Sequence, residues 1–500
     1  MAQSYLAIAP EIALLVLVVI VLAYERFIDP SERRRTGLVT AWGLLAIIIM
    51  TFGIWLLFDE PAAAVNNDFR SGLLWGGMIR HDYIALIFRV MFLAAALVTS
   101  LISVDVPRLQ RSEFFGLLLM VTIGLNFMAM SADVIMLYVA LETASITLYV
   151  MAGFFTDSGR SVEAGMKYFV YGSFASALML FGFSWLYGLM GGVTQIYDMA
   201  IVATSIASQG LTEANTVFLL AAVLVIAGFG FKISLVPFHF WTPDVYEGAP
   251  TSVTAFLSTA SKAAGFAVFL RVFTAGVFGQ ADASNPWWAM LAAMCIVTMI
   301  LGNFMAIFQS NIKRMLAYSS IAQAGYAMIG LVILTTDGAG AAIYYLFMYI
   351  FTNIAAFGVI ILVSNVAKAE EMTDLYGLSR RSPGLALVMM FALLSLGGIP
   401  PTAGFFGKFF LFRAAVEAGY WWLALIAILM AFVALYYYLN VIKYMYLYHP
   451  TEEQAAQPIP VSRAAYVALG VTFVMILYLG IAPQAVFDWA QQAASAFLLG

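Results

Sequence analysis

Residues 228–237 read GFGFKISLVP, and residues 404–411 read GFFGKFFL. Each stretch sets a lysine, Lys232 or Lys408, in a long apolar run beside glycines, with proline close by. Gly228 and Gly230 precede Lys232 and Pro237 follows it; Gly397, Gly398, Pro400 and Pro401 precede Gly404, Gly407 and Lys408. Proline removes a backbone donor and clashes with the preceding turn, so a helix is expected to break at each place. The expected breaks involve Gly230 and Pro237 in the first stretch, and Pro400, Pro401 and Gly404 in the second. Glycine and proline are common in membrane helices, so one such stretch means little. Two of them, 176 residues apart and each adjoining a lysine, mean more.

The spacing recurs elsewhere. AGMKYFVYGSF from Ala164 resembles AAIYYLFMYIF from Ala341, pairing Tyr168 with Tyr345 and Phe174 with Phe351 at an offset of 177. MAG at Met151 and MIG at Met328 repeat that offset. The agreement predicts two units of five spans, spans 4–8 and 9–13. Because five is odd, consecutive units enter the membrane from opposite sides, which makes them inverted repeats. That is a transporter architecture, in which paired interrupted helices mark the pathway.

Composition requires lipid around such a chain. It is 63% hydrophobic and 10% charged, against about 45–50% and about 25% in soluble domains, and its mean hydropathy is +0.95. Apolar runs predict an all-α polytopic membrane protein of about fourteen transmembrane helices. They lie near residues 6–24, 38–58, 84–102, 114–131, 133–153, 163–190, 216–236, 251–278, 287–308, 312–334, 340–366, 383–416, 420–447 and 464–483. The 383–416 run is long enough to be broken. The first run lacks a basic leader and a cleavage site, so it is expected to stay as a span. The organisation expected is an N-terminal three-helix segment (1–110), two five-helix repeats (111–285 and 286–450), and a C-terminal helix with its tail (451–500).

Connections are too short for a nucleotide-binding domain, and neither a dinucleotide fingerprint nor a P-loop is present. The lone Cys295 excludes disulfides and thiolate-held clusters within the chain, and His81, His239 and His449 are too scattered to suggest a metal motif. A net charge of −4 is uninformative by itself; its placement matters. With the N-terminus outside, the inner loops hold Arg26, Arg33, Arg34, Arg35, Arg108, Arg111, Arg160, Lys313, Arg314, Lys368, Arg380, Arg381 and Arg463. The outer loops and tails hold Arg70 and Arg80. By the positive-inside bias both termini are then outside.

An ionisable group at mid-membrane costs at least about 2.5–3.5 kcal/mol on insertion scales, so each one needs a reason. Glu142 lies central in VIMLYVALETASITLYV, with Lys232, Lys262 and Lys408 in later spans. A static salt bridge is the bland alternative for Glu142, and it is weaker for Lys262 and Lys408, whose heads cannot easily snorkel. Arg89, Arg271 and Arg413 lie nearer span ends, where snorkelling is the default; Lys167 fits either reading. Burial favours the neutral amine and a neighbouring carboxylate favours the ammonium, so a lysine at varying distance from Glu142 can take and release a proton. Sodium coordination would instead call for clustered Asp, Glu, Asn and carbonyl ligands. His239 titrates in the neutral range and adjoins Pro237, which suits a gate as well as a hydrogen-bonded loop residue.

The stretch LVPFHFWTPDVYEGAPTSVTAFLSTASKAAGF, Leu235–Phe266, resembles the signature of the antiporter-like membrane subunits of respiratory complex I. These are related to subunits of multisubunit sodium/proton antiporters. The similarity runs over roughly residues 110–450, and Glu142, Lys232, Lys262 and Lys408 match the family's buried residues on its fifth, seventh, eighth and twelfth helices. Lys408 points to the N-type branch, since the M- and L-type relatives carry an acid there.

The resemblance implies that Glu142 and Lys232 form a coupling pair modulated by Lys167. Lys262 would be the central relay and Lys408 the terminal donor toward the outside. Protons would move from cytoplasm to periplasm, driven by quinone reduction elsewhere in the complex. NADH, FMN, iron–sulfur clusters and quinone would belong to other subunits, with no redox centre here. The implied partners are neighbouring antiporter-like and small membrane subunits within a bacterial inner membrane, and no nucleic acid. One departure stands out: the eleventh span has no histidine, where relatives often carry one, so Tyr344, Tyr345, Tyr349, Thr352 and Asn353 would support a water-mediated link between Lys262 and Lys408. The same residues leave open a subunit of a sodium/proton antiporter, a non-conducting membrane scaffold, and a stand-alone solute carrier.

Overall fold

The computed structural model describes residues 2–57, 72–208, 212–273, 286–333, 335–367 and 370–498. Arg70, Lys368 and the expected boundary at 285 lie outside the described residues. The described residues are all-α apart from a two-stranded hairpin, Leu73–Leu74 with Ile79–Arg80. Among the described residues twelve helices are long and apolar enough to cross a membrane, and two shorter apolar helices accompany them.

In chain order the principal helices begin with α1 (Ala9–Tyr24), α2 (Arg34–Leu57), α3 (Tyr83–Ser103), α4 (Ser112–Met130), α5 (Val134–Ala152) and α6 (Gly159–Leu189). There follow α7 (Thr212–Ile233), the short α8 (Trp241–Gly248), α9 (Thr251–Phe273), α10 (Pro286–Ile307), α11 (Ile312–Val332) and α12 (Thr336–Ala367). The last are α13 (Pro383–Gly397), α14 (Ala403–Glu417), α15 (Trp421–Tyr446), α16 (Arg463–Ile481) and α17 (Gln484–Leu498). The long 383–416 run is thus two helices, α13 and α14, parted at Gly398–Thr402.

Helices α9, α11 and α12 are enclosed along their apolar windows, whereas α2, α6, α15 and α16 turn much of theirs outward. Trp42, Phe174, Phe432 and Tyr466 are all largely exposed. Apolar side chains facing out carry no penalty when the surroundings are lipid, so polarity can be reserved for the interior. The inner trio is where it goes: Ser258, Lys262, Ser319, Ser320, Gln323, Thr352 and Asn353 are all buried there.

Three cation-bearing loops are tied together by Arg34–Asp105 (2.7 Å), Arg33–Glu25 (3.1 Å) and Arg108–Asp157 pairs, and a cavity joins Arg108 and Arg160 to Asn311 and Glu370 on that same cation-rich face. Two expectations of snorkelling fail. Arg89 and Arg271 are each 1% exposed. Arg89 donates to both carboxylate oxygens of Glu11 (2.9 and 3.0 Å), and Asn126 also donates to Glu11 (2.9 Å). Arg271 forks onto Asp82 (2.7 and 2.9 Å) and reaches the Ala129 carbonyl. Arg80, expected in an outer loop, is buried 3.6 Å from Asp82. Both pairs join helices far apart in sequence, which spacing along one helix cannot reveal. Arg413 does reach outward, 41% exposed beside Glu417.

Removing one partner of such a pair leaves an uncompensated buried charge, at a cost of about 3–5 kcal/mol. Arg89→Leu is expected to lower stability by that order, read as a fall in the unfolding midpoint in detergent, with added Glu11→Gln recovering part of it. An unchanged midpoint would show the pair contributes nothing to stability.

Candidate functional site

Lys408 owes its position to the end of α13. Gly398 adopts φ 85°, and the amides of Gly398 and Ile399 both turn back to the Leu394 carbonyl (2.9 and 3.0 Å). The last carbonyls of a helix have no intrahelical donor and carry the negative end of its dipole. Those of Leu396 and Gly397 accept from Lys408 Nζ (2.9 and 3.1 Å), and the Tyr326 ring lies 4.8 Å from the same nitrogen. Contrary to expectation, Gly404 is not part of the break but the second residue of α14. A Cβ there would run into the Ser395 backbone oxygen, so glycine lets α14 close against α13. Its amide donates to Ser395 Oγ (3.0 Å). Pro400 and Pro401, joined by a cis peptide, do lie in the break.

Lys262 follows a single π-helical turn, Leu257–Ser261. Such turns inside α-helices recur at functional positions because they swing one side chain out of register. Lys262 Nζ donates to Ser320 on α11, both to the hydroxyl (2.7 Å) and to the carbonyl (2.9 Å), and stands 5.7 Å from the Tyr246 ring. One turn further along α11, Gln323 donates to the Leu396 carbonyl (3.1 Å) that also receives Lys408. Gln323 donates as well to the Tyr438 hydroxyl (3.0 Å) and accepts from the Tyr345 hydroxyl; Tyr438 meets Ser319 at 2.5 Å. Polar groups of α11 one turn apart thus reach the surroundings of both lysines, with Tyr345 and Tyr438 beside Gln323.

Tyr345 bonds Gln323, Thr352 meets Ser395 Oγ (3.1 Å), and Asn353 donates to Ser258 in the π turn (2.7 Å). The Tyr349 hydroxyl lies beside Ser320 without a hydrogen bond of good geometry. Tyr344 does not join: its hydroxyl donates to the Leu479 carbonyl (2.7 Å) and its ring packs on Phe410 and Phe487. Neighbours along a helix point about 100° apart, so Tyr344 and Tyr345 cannot share a task.

Lys232 occupies the last turn of α7, just before Ser234 at φ 65° and the cis Val236–Pro237 bond. Gly230 lies inside α7 and, contrary to expectation, breaks nothing; it leaves room for Phe238 on the returning segment. Lys232 Nζ donates to Ser145 Oγ (3.0 Å), three residues after Glu142 and so on the same face of α5. Among the described residues no ion pair joins Glu142 to Lys232, and Glu142 Oε1 is buried without a hydrogen-bond partner. The hydroxyls of Ser261 and Tyr246 are also buried without a hydrogen-bond partner of good geometry. Buried polar atoms need a partner, so this half of the axis is built of donors and acceptors poised but not joined.

Lys167 departs from its implied role. It is 37% exposed and pairs with Asp244 (2.7 Å) and Glu163 (2.8 Å), with no bond to Glu142 or Lys232. A long side chain near a helix end carries its charge to the polar boundary, where Arg314 joins Asp244 (2.9 Å) and Glu247 (2.8 Å). Partial burial would raise the Asp244 pKa, but hydrogen bonds and charge from Lys167 and Arg314 outweigh it and hold the carboxyl below its ordinary range. His239 is buried in the segment between α7 and α8 and bonds none of the three lysines. Among the described residues no group of three or more His, Cys, Asp or Glu is placed to hold a metal.

This geometry has known counterparts. Residues 131–434, more than half the chain, match the family model described as NADH:quinone oxidoreductase/Mrp antiporter, TM. The chain belongs to that family. NADH-quinone oxidoreductase subunit N of Moorella thermoacetica is 40% identical over 482 residues, covering 96% of each chain. A chain of respiratory complex I from Thermus thermophilus, solved with bound aureothin, matches with TM-score 0.74 at 31% identity, over 96% of this chain and 98% of that one. The fold also extends to a chain of the Mrp complex from Dietzia sp. DQ12-45-1b, TM-score 0.82 at 21% identity, over 100% of this chain and 98% of that one. The expected resemblance to antiporter-like complex I subunits, and within them to subunit N, is what these comparisons return.

For a member of this oxidoreductase/antiporter family, the groups that sequence reasoning missed are neutral. Ser319, Ser320, Gln323, Ser395 and Tyr438 sit among ordinary helix residues, and only the facing of α11, α13 and α15 brings them to the lysines. A faint signal existed in the i, i+1, i+4 spacing of Ser319, Ser320 and Gln323, which sets Gln323 one turn beyond both serines on a largely apolar helix.

Proposed function

We propose that this chain is a proton-translocating membrane subunit of an NADH:quinone oxidoreductase. It carries protons from cytoplasm to periplasm through Glu142, Lys232, Lys262 and Lys408. Quinone reduction elsewhere in the complex drives the transfer; NADH, FMN, iron–sulfur clusters and quinone reside in or at other subunits. Neighbouring antiporter-like and small membrane subunits are its partners in a bacterial inner membrane, with both termini periplasmic and the cation-rich face cytoplasmic.

The observation that carries this reading is the pair of polar groups one turn apart on α11, Ser320 bonding Lys262 and Gln323 bonding the carbonyl that holds Lys408. Hydroxyls both accept and donate, so Ser319, Ser320, Tyr345 and Tyr438 can hand on a proton, while the Gln323 amide orients them. Lysine carries one exchangeable charge and no redox chemistry, which suits transfer rather than electron flow. The helix-end carbonyls give Lys408 a defined resting place, and its departure from them would deliver a proton outward. The roughly 40% identity to subunit N proteins favours this reading over a sodium/proton antiporter, to which the likeness is one of fold.

In the assembled complex, Lys408→Ala is expected to lower protons moved per electron while peripheral NADH-oxidising subunits still copurify. Unchanged pumping would remove Lys408 from the path. A sodium requirement, or the absence of those copurifying subunits, would favour the antiporter.

A further inference from the structure

A polar cavity of about 520 Å³ opens on the cation-rich face, walled by Arg108, Arg160, Thr251, Ser252, Asn311 and Glu370 among others. That is far above the ~10–15 Å³ one water needs. On its wall, Glu370 Oε1 accepts from Thr251 Oγ1 (2.9 Å) and from Lys313 Nζ (3.1 Å). Lys313 was expected to anchor a loop in water, yet it is 2% exposed and its second bond goes to the Ala249 carbonyl (2.8 Å). Ser252 is 1% exposed, lines the cavity, and has a hydroxyl with no hydrogen-bond partner. Arg160 and Glu247 are the other charges acting on Lys313.

Lys313 stands seven residues before Ser320 on α11. Seven residues are two turns, so both lie on one face, about 10 Å apart along the axis. Ser320 receives Lys262. On the facing side, Ala249 follows Tyr246 by three residues, and the Tyr246 hydroxyl lies beside Ser320. An ion pair of a buried lysine and a partly exposed glutamate thus stands between the polar cavity and the central lysine, with polar groups on both sides of it.

We infer that this cavity is the proton-uptake vestibule and that Glu370 and Lys313 form its inner gate, a step that rests on the reading of Lys262 as a relay. Starting from the ion pair, Lys313 releases one proton along Tyr246 and Ser320 to the neutral amine of Lys262 and is left as a neutral amine. Glu370 then takes one proton from the vestibule and gives it to that amine, which becomes an ammonium again while the carboxylate is restored. One proton has moved inward, and both gate residues are back in their starting forms.

Arginine tests this, because a guanidinium keeps the charge and the ion pair yet does not release a proton. Proton-to-electron ratios would be measured on the assembled complex in vesicles for Lys313→Arg, Glu370→Gln and Lys262→Ala. Lys313→Arg should assemble and lose the same share of pumping as Lys262→Ala, with Glu370→Gln doing likewise. Wild-type pumping in Lys313→Arg alongside loss in Lys262→Ala overturns the gate and leaves the relay standing. Wild-type pumping in Lys262→Ala overturns the relay itself. If the gate variants do not assemble, Ser252→Cys in the otherwise native complex decides. A membrane-impermeant thiol reagent should label that variant from the cation-rich face, the native Cys295 being buried. Failure of the Ser252→Cys complex to react would overturn the vestibule.

Discussion

Replacing Lys262 by alanine is expected to abolish the proton transfer carried by this chain, while the fold and its place in the membrane survive. The side chain is 3% exposed and stands on the polar axis between Lys232 and Lys408. Alanine removes the one group there that can hold a proton as a stable charge, leaving hydroxyls that only pass one on. The structural loss is modest by comparison. Ser320 Oγ loses a donor, and an unmet buried bond costs about 1–3 kcal/mol, which is small beside the packing of the surrounding helices. Protons moved per electron by the assembled complex in vesicles would therefore fall by this chain's whole share, with normal subunit content. Lys262→Arg should fail in the same way, because it keeps charge without exchange. Pumping retained by both variants would make Lys262 a structural cation.

How far the sequence foretold this depends on the kind of residue. Charge in an apolar run is conspicuous because it is costly, so Glu142, Lys232, Lys262 and Lys408 stand out from the sequence alone. The helical membrane fold was legible for the same reason, as were the breaks at Pro237 and at Pro400–Pro401. Neutral polar groups were not. Ser320 and Gln323 cost little anywhere in a membrane helix, and which way they face depends on packing. The π turn before Lys262 contains neither glycine nor proline, only Leu257, Ser258, Thr259, Ala260 and Ser261, so nothing in its composition marks it. Arg89 and Arg271 misled because their position near span ends suggested snorkelling, while their partners Glu11 and Asp82 lie 78 and 189 residues away. Gly230 and Gly404 misled differently. Glycine permits a break or a close approach, and here both permit close approach, to Phe238 and to Ser395.

Gln323 stands on α11 one turn from Ser320, the partner of Lys262, and touches both the Leu396 carbonyl beneath Lys408 and the hydroxyls of Tyr345 and Tyr438. Leucine in its place keeps the volume but strips every one of those bonds, at about 1–3 kcal/mol for the groups left unmet. Both lysines would remain present and chargeable with the proposed path between them cut. The decisive measurement is the proton-to-electron ratio of the assembled Gln323→Leu complex in vesicles, beside Lys262→Ala. A ratio as low as that of Lys262→Ala, with normal assembly, is what the proposed path predicts. A wild-type ratio would mean that protons pass between Lys262 and Lys408 by some other path, or not at all.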